Sequence, residues 1–587
     1  MFKILKFFTW KQWVIMLIAL MLSFGEGYCI LQMPIYMTKI TNILYAVTYA
    51  DNFNAKECFL YVMYTILFVF GSLVIDFVVR LLTTYVCYGF IGKLRKNVFK
   101  HIFSFSMIET SEFHISTLVS RATWDTKVVG WFFLSIMSRL FVCLTIMIIA
   151  LFRSAFSEVK FTTSLWICAG AILVVIFSTG FVWVYCYKRI EKLLDKNIFY
   201  LQENLSGIKT IKSFNSSQFH INRLTENNKT LNKYFRVISI QESLVNVAIF
   251  VFTNILSMLI YYFAALNFHP TDDQSVGFGN ATGFSMMTSI VISYLLLLVS
   301  AAGNIPNFII STARLSRLLR TEGKIRSPKH PQNFIPEKIG SIEFENVSFK
   351  YPSAIENTVS DISFKANAGE TIAFIGQTGS GKSTLVNLIP RLYIPSSGKI
   401  KVNGIETSEA DLEKLRNSIG YVTQKVSIFN DTVKNNIDFM EKNLSEQEMK
   451  KIIECAGLTT TINNMPDGLE TMLSENGENL SGGQKQRISI ARALAIKPNF
   501  IIFDDSFSAL DSRTEWKIQK LIHEEMPEVT KIIISQKISS IMNANKIYVL
   551  DKGKIIAEGK HNELIKTNPL YESLCNIQNV SGVENGK

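Results

Sequence analysis

The sequence predicts two joined architectures, an all-α transmembrane domain of six helices and an α/β nucleotide-binding domain built around a P-loop. Three observations carry that reading. Every long apolar run falls before about residue 310, and short β-branched runs alternate with helix-like segments from Ser341 onward. A glycine-rich phosphate-cradling motif also follows one of those runs, at Gly376. At 587 residues the chain exceeds what one hydrophobic core supports, so a division near residues 321–340 is expected.

Six segments are long enough to cross a hydrocarbon core, which takes about 20 apolar helical residues. They are Trp13–Met37, Phe59–Ile91, Trp131–Phe152, Leu165–Tyr187, Leu244–Leu266 and Gly283–Ile310. Lys3, Lys6 and Lys11 precede the first, Lys93, Arg95, Lys96 and Lys100 follow the second, and Arg314, Arg317 and Arg320 follow the sixth. Positive charge concentrates on the cytoplasmic side, so both termini are expected there. The loop from Asn267 to Gly279 carries Asp272 and Asp273 and no Lys or Arg, as the opposite side should. The first apolar run lacks a small-residue cleavage site and reads as a retained anchor. The inner connections, 92–130 and 188–243, contain no proline, so long helices are expected to continue below the membrane.

The net charge of +12 is accounted for by these flanks; no basic patch interleaved with aromatics points to nucleic acid. The eight cysteines are scattered, without CxxC pairs or a nearby His at metal-ligand spacing, and are expected to be reduced and mostly buried. Two charged positions inside the spans stand out, because ionisable groups are costly there. Glu26, between Gly25 and Gly27, could contact a cationic substrate in a cavity; it could equally be a partnered or water-facing carboxylate with no substrate role. Asp76 and Arg80, spaced i,i+4, are expected to pair with each other.

A linker is expected over 321–340, where Pro328, Pro331 and Pro336 interrupt any periodicity. Beyond it, Ile342–Phe344, Thr371–Ile375, Phe500–Phe503, Lys531–Ile534 and Ile547–Leu550 read as strands. After Thr371–Ile375 come Gly376, Gln377, Thr378, Gly379, Ser380, Gly381, Lys382, Ser383 and Thr384, and Leu385 opens a helix. Strand, motif and helix in that order are the context a P-loop requires. Its backbone N–H groups would cradle the phosphates of ATP, Lys382 would neutralise the β- and γ-phosphates, and Ser383 would ligate Mg2+. Asp504, ending Phe500–Phe503, is the matching Mg2+ carboxylate.

Leu480-Ser481-Gly482-Gly483-Gln484, followed by Lys485-Gln486-Arg487, resembles the signature sequence of the ABC (ATP-binding cassette) ATPases. The resemblance extends to Tyr351 as an adenine-stacking aromatic, Gln424 as the Q-loop glutamine near the metal, and Ser508 to Asp511 as the D-loop. In the first half, Glu203 to Phe214 and Ser116 to Arg121 are similar to inner-loop motifs of ABC exporter half-transporters. The resemblance implies that two half-transporters pair head to tail. Each ATP would then lie between one P-loop and the opposite Ser481–Gln484 segment.

Two positions depart from the family. Asp505 stands where a glutamate usually polarises the attacking water, and Gln536 stands where a histidine usually contacts the γ-phosphate. Aspartate is one methylene shorter, and glutamine cannot become cationic or relay a proton. The expectation is a subunit that binds ATP, hydrolyses it weakly at Asp505, and lends its signature to a competent partner. On this reading the chain exports small amphipathic molecules, drugs or lipids, across the plasma membrane as half of a heterodimer. A homodimeric exporter or lipid flippase, and an ATP-binding regulatory membrane subunit, are the alternatives.

Overall fold

The structure is a computed structural model describing residues 6–50, 55–135, 141–154, 159–266, 274–302, 305–332, 340–352 and 354–578. It divides into two compact units, one of residues 1–103 and 114–321, the other of residues 104–113 and 322–587.

The first unit is entirely helical. Its elements are α1 (Trp10–Ala50), α2 (Ala55–Phe103), α3 (Ile115–Ser120), α4 (Thr126–Ser135), α5 (Phe141–Ser154), α6 (Val159–Ser206), α7 (Ile208–Ser213), α8 (Ser217–Leu266), α9 (Gln274–Ala302) and α10 (Ile305–Arg320). Forty-one residues in α1 make a rod of about 60 Å, twice the apolar thickness of a bilayer. Among the described residues, four stretches are long and apolar enough to cross a membrane: Trp10–Leu44, Ala55–Phe103, Ser217–Phe263 and Gly279–Leu297. The expected third span covers parts of α4 and α5, and its residues 136–140 lie outside the described residues. The fourth lies within α6, where most side chains of the apolar part lie outside them as well. Asp272, Asp273 and Pro336 are likewise outside the described residues.

The apolar side chains of α2 point outward: Phe59, Phe70 and Phe77 are more than 60% exposed. In water such a face would be a large apolar patch, whereas lipid covers it at no cost. Close helix contacts depend on small residues instead. On α9, Gly279 and Gly283 are spaced i,i+4 against α1, and a Cβ on Gly283 would fall 1.8 Å from Thr38 Oγ1. The proline-free inner connections do continue the helices, through Phe103 in α2 and through Ser206 in α6. A π-helical turn, Arg121–Asp125, follows α3. There Asp125 accepts from Ser311 at 2.8 Å, and nearby Arg314 bonds Glu191 at 2.5 Å and Asp195 at 3.1 Å, tying α6 to α10. Arg80 Nε donates to both oxygens of Asp76 at 2.7 Å, the expected i,i+4 pair.

The second unit has two sheets. A four-stranded antiparallel sheet runs in the order β2 (Val359–Ala366), β1 (Ile342–Phe349), β4 (Ser397–Val402), β5 (Ile405–Glu406). A six-stranded sheet runs in the order β10 (Lys554–Gly559), β9 (Lys546–Asp551), β3 (Thr371–Gly376), β8 (Thr530–Ile534), β7 (Phe500–Asp504), β6 (Ile419–Val422). From β9 to β6 the pairs are parallel, and their near-continuous apolar runs reflect burial on both faces. Alternation sends Phe500 and Ile502 to one core and Ile501 and Phe503 to the other. Because β8 lies between β3 and β7, the loops leaving the carboxyl ends of all three strands are neighbours. Ligands of open α/β sheets gather at such ends.

Candidate nucleotide site

The P-loop joins β3 to α11 (Lys382–Leu388). Gly381 sits at φ +97°, and a Cβ there would meet Thr358 O and Val359 Cγ1 at 2.8 Å, so only glycine closes this turn. The turn wraps Lys382: its Nζ donates to Gly376 O and Gln377 O at 2.8 Å and to Ser380 Oγ at 3.2 Å. Burial lowers the Lys382 pKa, while the carboxylates of Asp505 and Asp504 oppose that shift. An ammonium held by exchangeable acceptors at the mouth of a glycine-rich turn fits an incoming phosphate.

Ser383 Oγ donates to Asp504 Oδ1 at 2.7 Å. Hydroxyl and carboxylate oxygens side by side are the hard donors Mg2+ prefers, so these residues fit that ion. Burial raises the pKa of Asp504, and the hydrogen bonds from Ser383 and Tyr421 work against it. Tyr421 was not anticipated from sequence. Its hydroxyl lies 3.4 Å from Asp504 Oδ2 and 2.8 Å from Asn387 Oδ1, so Asn387 of α11 holds this β6 tyrosine beside the carboxylate.

Thr378, Gly379, Gly381, Lys382, Ser383 and Thr384 line a cavity of about 210 Å³. Gln424, Asp505 and Gln536 line it too. That volume is below the roughly 300–1,000 Å³ of an enclosed ligand pocket, so the cavity can cradle phosphates but not surround a nucleotide. Tyr351 is not among its walls: its ring meets Phe349 and Tyr393 edge-on, and its hydroxyl pairs with Thr384 Oγ1 at 3.1 Å. Gly376, Gln377 and Ser380 lie behind the wall as acceptors for Lys382.

The two departures face the same cavity. Asp505 adopts φ +50°, a left-handed conformation that aspartate tolerates better than most residues. Its Oδ2 accepts from Gln424 Nε2 at 3.1 Å, so the carboxylate is already engaged. Gln536, exposed, follows β8, and its carbonyl accepts from Gln578 Nε2 at 2.7 Å. Gln578 Oε1 in turn accepts from Ile538 N at 2.8 Å, so one side chain just after the helix Pro569–Ile577, the last among the described residues, holds this loop at two points. Nothing in its sequence surroundings marks Gln578.

Ser481, Gly482, Gly483 and Gln484 are absent from the lining. Ser481 caps α12 (Gly482–Ala495): its Oγ accepts from Gln484 N, and its own N–H is bonded by Gln484 Oε1 at 2.8 Å. This reciprocal cap leaves an exposed, ordered turn. Asp511 caps α13 (Ser512–Glu525) by accepting from Thr514 N at 2.9 Å. Lys537 Nζ reaches the carbonyls of Phe507, Ser508 and Leu510 at 3.4–3.5 Å, bridging the Gln536 loop to the segment before Asp511. In the helical unit Glu26 is 4% exposed and its Oε2 has no hydrogen-bond partner among the described residues.

Comparison with known proteins agrees with this geometry. Residues 16–308 match the ABC transporter transmembrane region and residues 359–508 match the ABC transporter family. The uncharacterized ABC transporter ATP-binding protein YfiB of Bacillus subtilis is 33% identical over 86% of this chain and 88% of its own. The ATP-dependent lipid A-core flippase of Wigglesworthia glossinidia brevipalpis is 30% identical over 83% of each chain. The structure of a bacterial Atm1-family ABC exporter with ATP bound shares the fold, with a TM-score of 0.84 and 22% identity over 97% of this chain and 99% of that one. With a transmembrane region and an ATP-binding domain on one polypeptide, the chain belongs to the ABC transporters.

Proposed function

We propose that this chain is one half of a heterodimeric ABC exporter that moves small amphipathic molecules, drugs or lipids, outward across the plasma membrane. Its termini and nucleotide-binding domain are cytoplasmic. Its own P-loop binds Mg-ATP through Lys382, Ser383 and Asp504 but hydrolyses it weakly, while Ser481–Gln484 completes the partner's site. The observation that carries this reading is the shared cavity wall of Asp505 and Gln536, with the Asp505 carboxylate tied to Gln424. A general base must reach the proton it takes, and such groups contribute about 10²–10⁴-fold. Bound Mg2+ would neutralise charge on the β- and γ-phosphates; Gln536 can orient water without relaying its proton, and Asp505, shorter than glutamate and tied to Gln424, reaches that proton poorly.

The signature lies outside the phosphate cavity, which supports a second chain as the source of its other face. Glu26, buried and with one oxygen unpartnered among the described residues, is the membrane residue proposed to face the transport path. A homodimeric flippase is the second reading, favoured by the lipid A-core flippases among the relatives.

Co-expression with a half-transporter encoded beside it tests the proposal. Ser481→Arg in this chain should abolish turnover by the pair, whereas Asp505→Ala should change it less than twofold. Equal losses from the two substitutions would establish two equivalent sites and refute the heterodimer.

A further inference from the structure

The nucleotide-binding unit holds a second cavity, of about 360 Å³, between α13 and the strands β7 and β8. That volume lies in the range of ligand pockets. Lys531, at the start of β8, points into it beside Ile533, its neighbour on the same strand face. Lys531 is 4% exposed, and its ammonium makes one hydrogen bond among the described residues, to Met526 O at 2.7 Å. An ammonium has three donors, and a buried cation without a counter-charge is costly. No carboxylate pairs with Lys531 among the described residues; burial alone pulls its pKa down to about 8, so it remains mostly protonated at neutral pH.

None of the described residues lining this cavity is acidic; at its mouth stand His523 and Lys520, the latter 3.8 Å from the Glu524 carboxylate, so among the described residues Lys531 is the cation left without a counter-charge. Phe503, Ile522 and Ile533 form a buried apolar floor, and the Trp516 ring stands 57% exposed at the rim. The site therefore offers one desolvated cation, an apolar floor and an aromatic edge. We propose that this cavity binds a small amphipathic anion, a carboxylate with an aromatic or branched aliphatic body, whose charged group pairs with Lys531. Its position gives it a hold on the nucleotide site: α13 starts from Asp511, and Ser540, four residues past Gln536, lines the cavity.

The test uses the full-length chain in detergent, with 2-naphthoate and its uncharged counterpart 2-naphthamide measured by equilibrium dialysis. The wild-type chain should bind naphthoate at least about tenfold more tightly than naphthamide, the effect of one charge-assisted hydrogen bond in a desolvated site. Lys531→Met should abolish that preference. In the unmodified chain, naphthoate and not naphthamide should slow chemical acetylation of Lys531, followed by mass spectrometry; this arm does not depend on the variant folding. Equal binding of the two probes, or unchanged acetylation of Lys531 with naphthoate present, would overturn the proposal.

Discussion

The two walls of the phosphate cavity are built to different standards. On the phosphate side, Lys382 has three acceptors, Ser383 meets Asp504, and Tyr421, anchored on Asn387, stands beside that carboxylate. On the water side, Asp505 is turned to Gln424 and Gln536 has no titrating group to offer. The contrast teaches that binding and hydrolysis are separable here: the first needs oriented donors and a cation, the second a base within reach of water.

Substitutions on each wall probe that division. Lys382→Met should have the largest effect, weakening Mg-ATP binding by about 10–100-fold, the worth of a charged group's hydrogen bonds; nucleotide titration of the purified chain measures it. The pair Asp505→Glu/Gln536→His should raise steady-state hydrolysis at least about tenfold while leaving ATP affinity within twofold. If it lowers affinity instead, the water wall also binds phosphate and the division fails. Tyr421→Phe should weaken the Mg2+ dependence by about fivefold, since it removes the hydroxyl beside Asp504 and leaves Ser383 in place. Gln578→Ala should act less on binding than on the mobility of the Gln536 loop, read as faster amide exchange at Ile538, whose N–H it satisfies.

A smaller effect follows from the second buried lysine. Lys531 titrates near 8 in the folded chain, against about 10.4 when unfolded. Between those values the unfolded chain binds more protons, so this group makes stability rise as pH increases from about 8 to about 10.4. Lys531→Met should lack that rise, seen as a difference between the two chains' denaturation midpoints across the interval.

How much of this was legible depended on whether function lies in local or distant neighbours. The P-loop and signature are contiguous, so spacing located Gly376–Thr384 and family resemblance located Ser481–Gln484. Strands β3, β7, β8 and β9 announced themselves because parallel strands buried on both faces are continuous apolar runs. The exposed alternation of β10 and the charged edge strand β5 carried no such signal. Tyr421 and Gln578 act across 83 and 42 residues, and only the sheet order and the packing of the last helix bring them to Asp504 and Gln536. Tyr351 was marked by its motif, and the structure adds its contact: its hydroxyl pairs with Thr384, a residue of the cavity wall. In the membrane half, lipid-facing and helix-packing residues are both apolar, so composition gave the spans without their partners, and Gly283 against Thr38 appeared only in three dimensions.

The most direct test of the account is the Mg2+-dependent ATPase rate of the purified, reconstituted chain alone, measured beside its ATP binding and beside the Asp505→Glu/Gln536→His variant. The account predicts saturable binding with little turnover in the unmodified chain and a clear gain in the variant. Substantial turnover by the unmodified chain alone would contradict it and make the protein a self-sufficient homodimeric transporter.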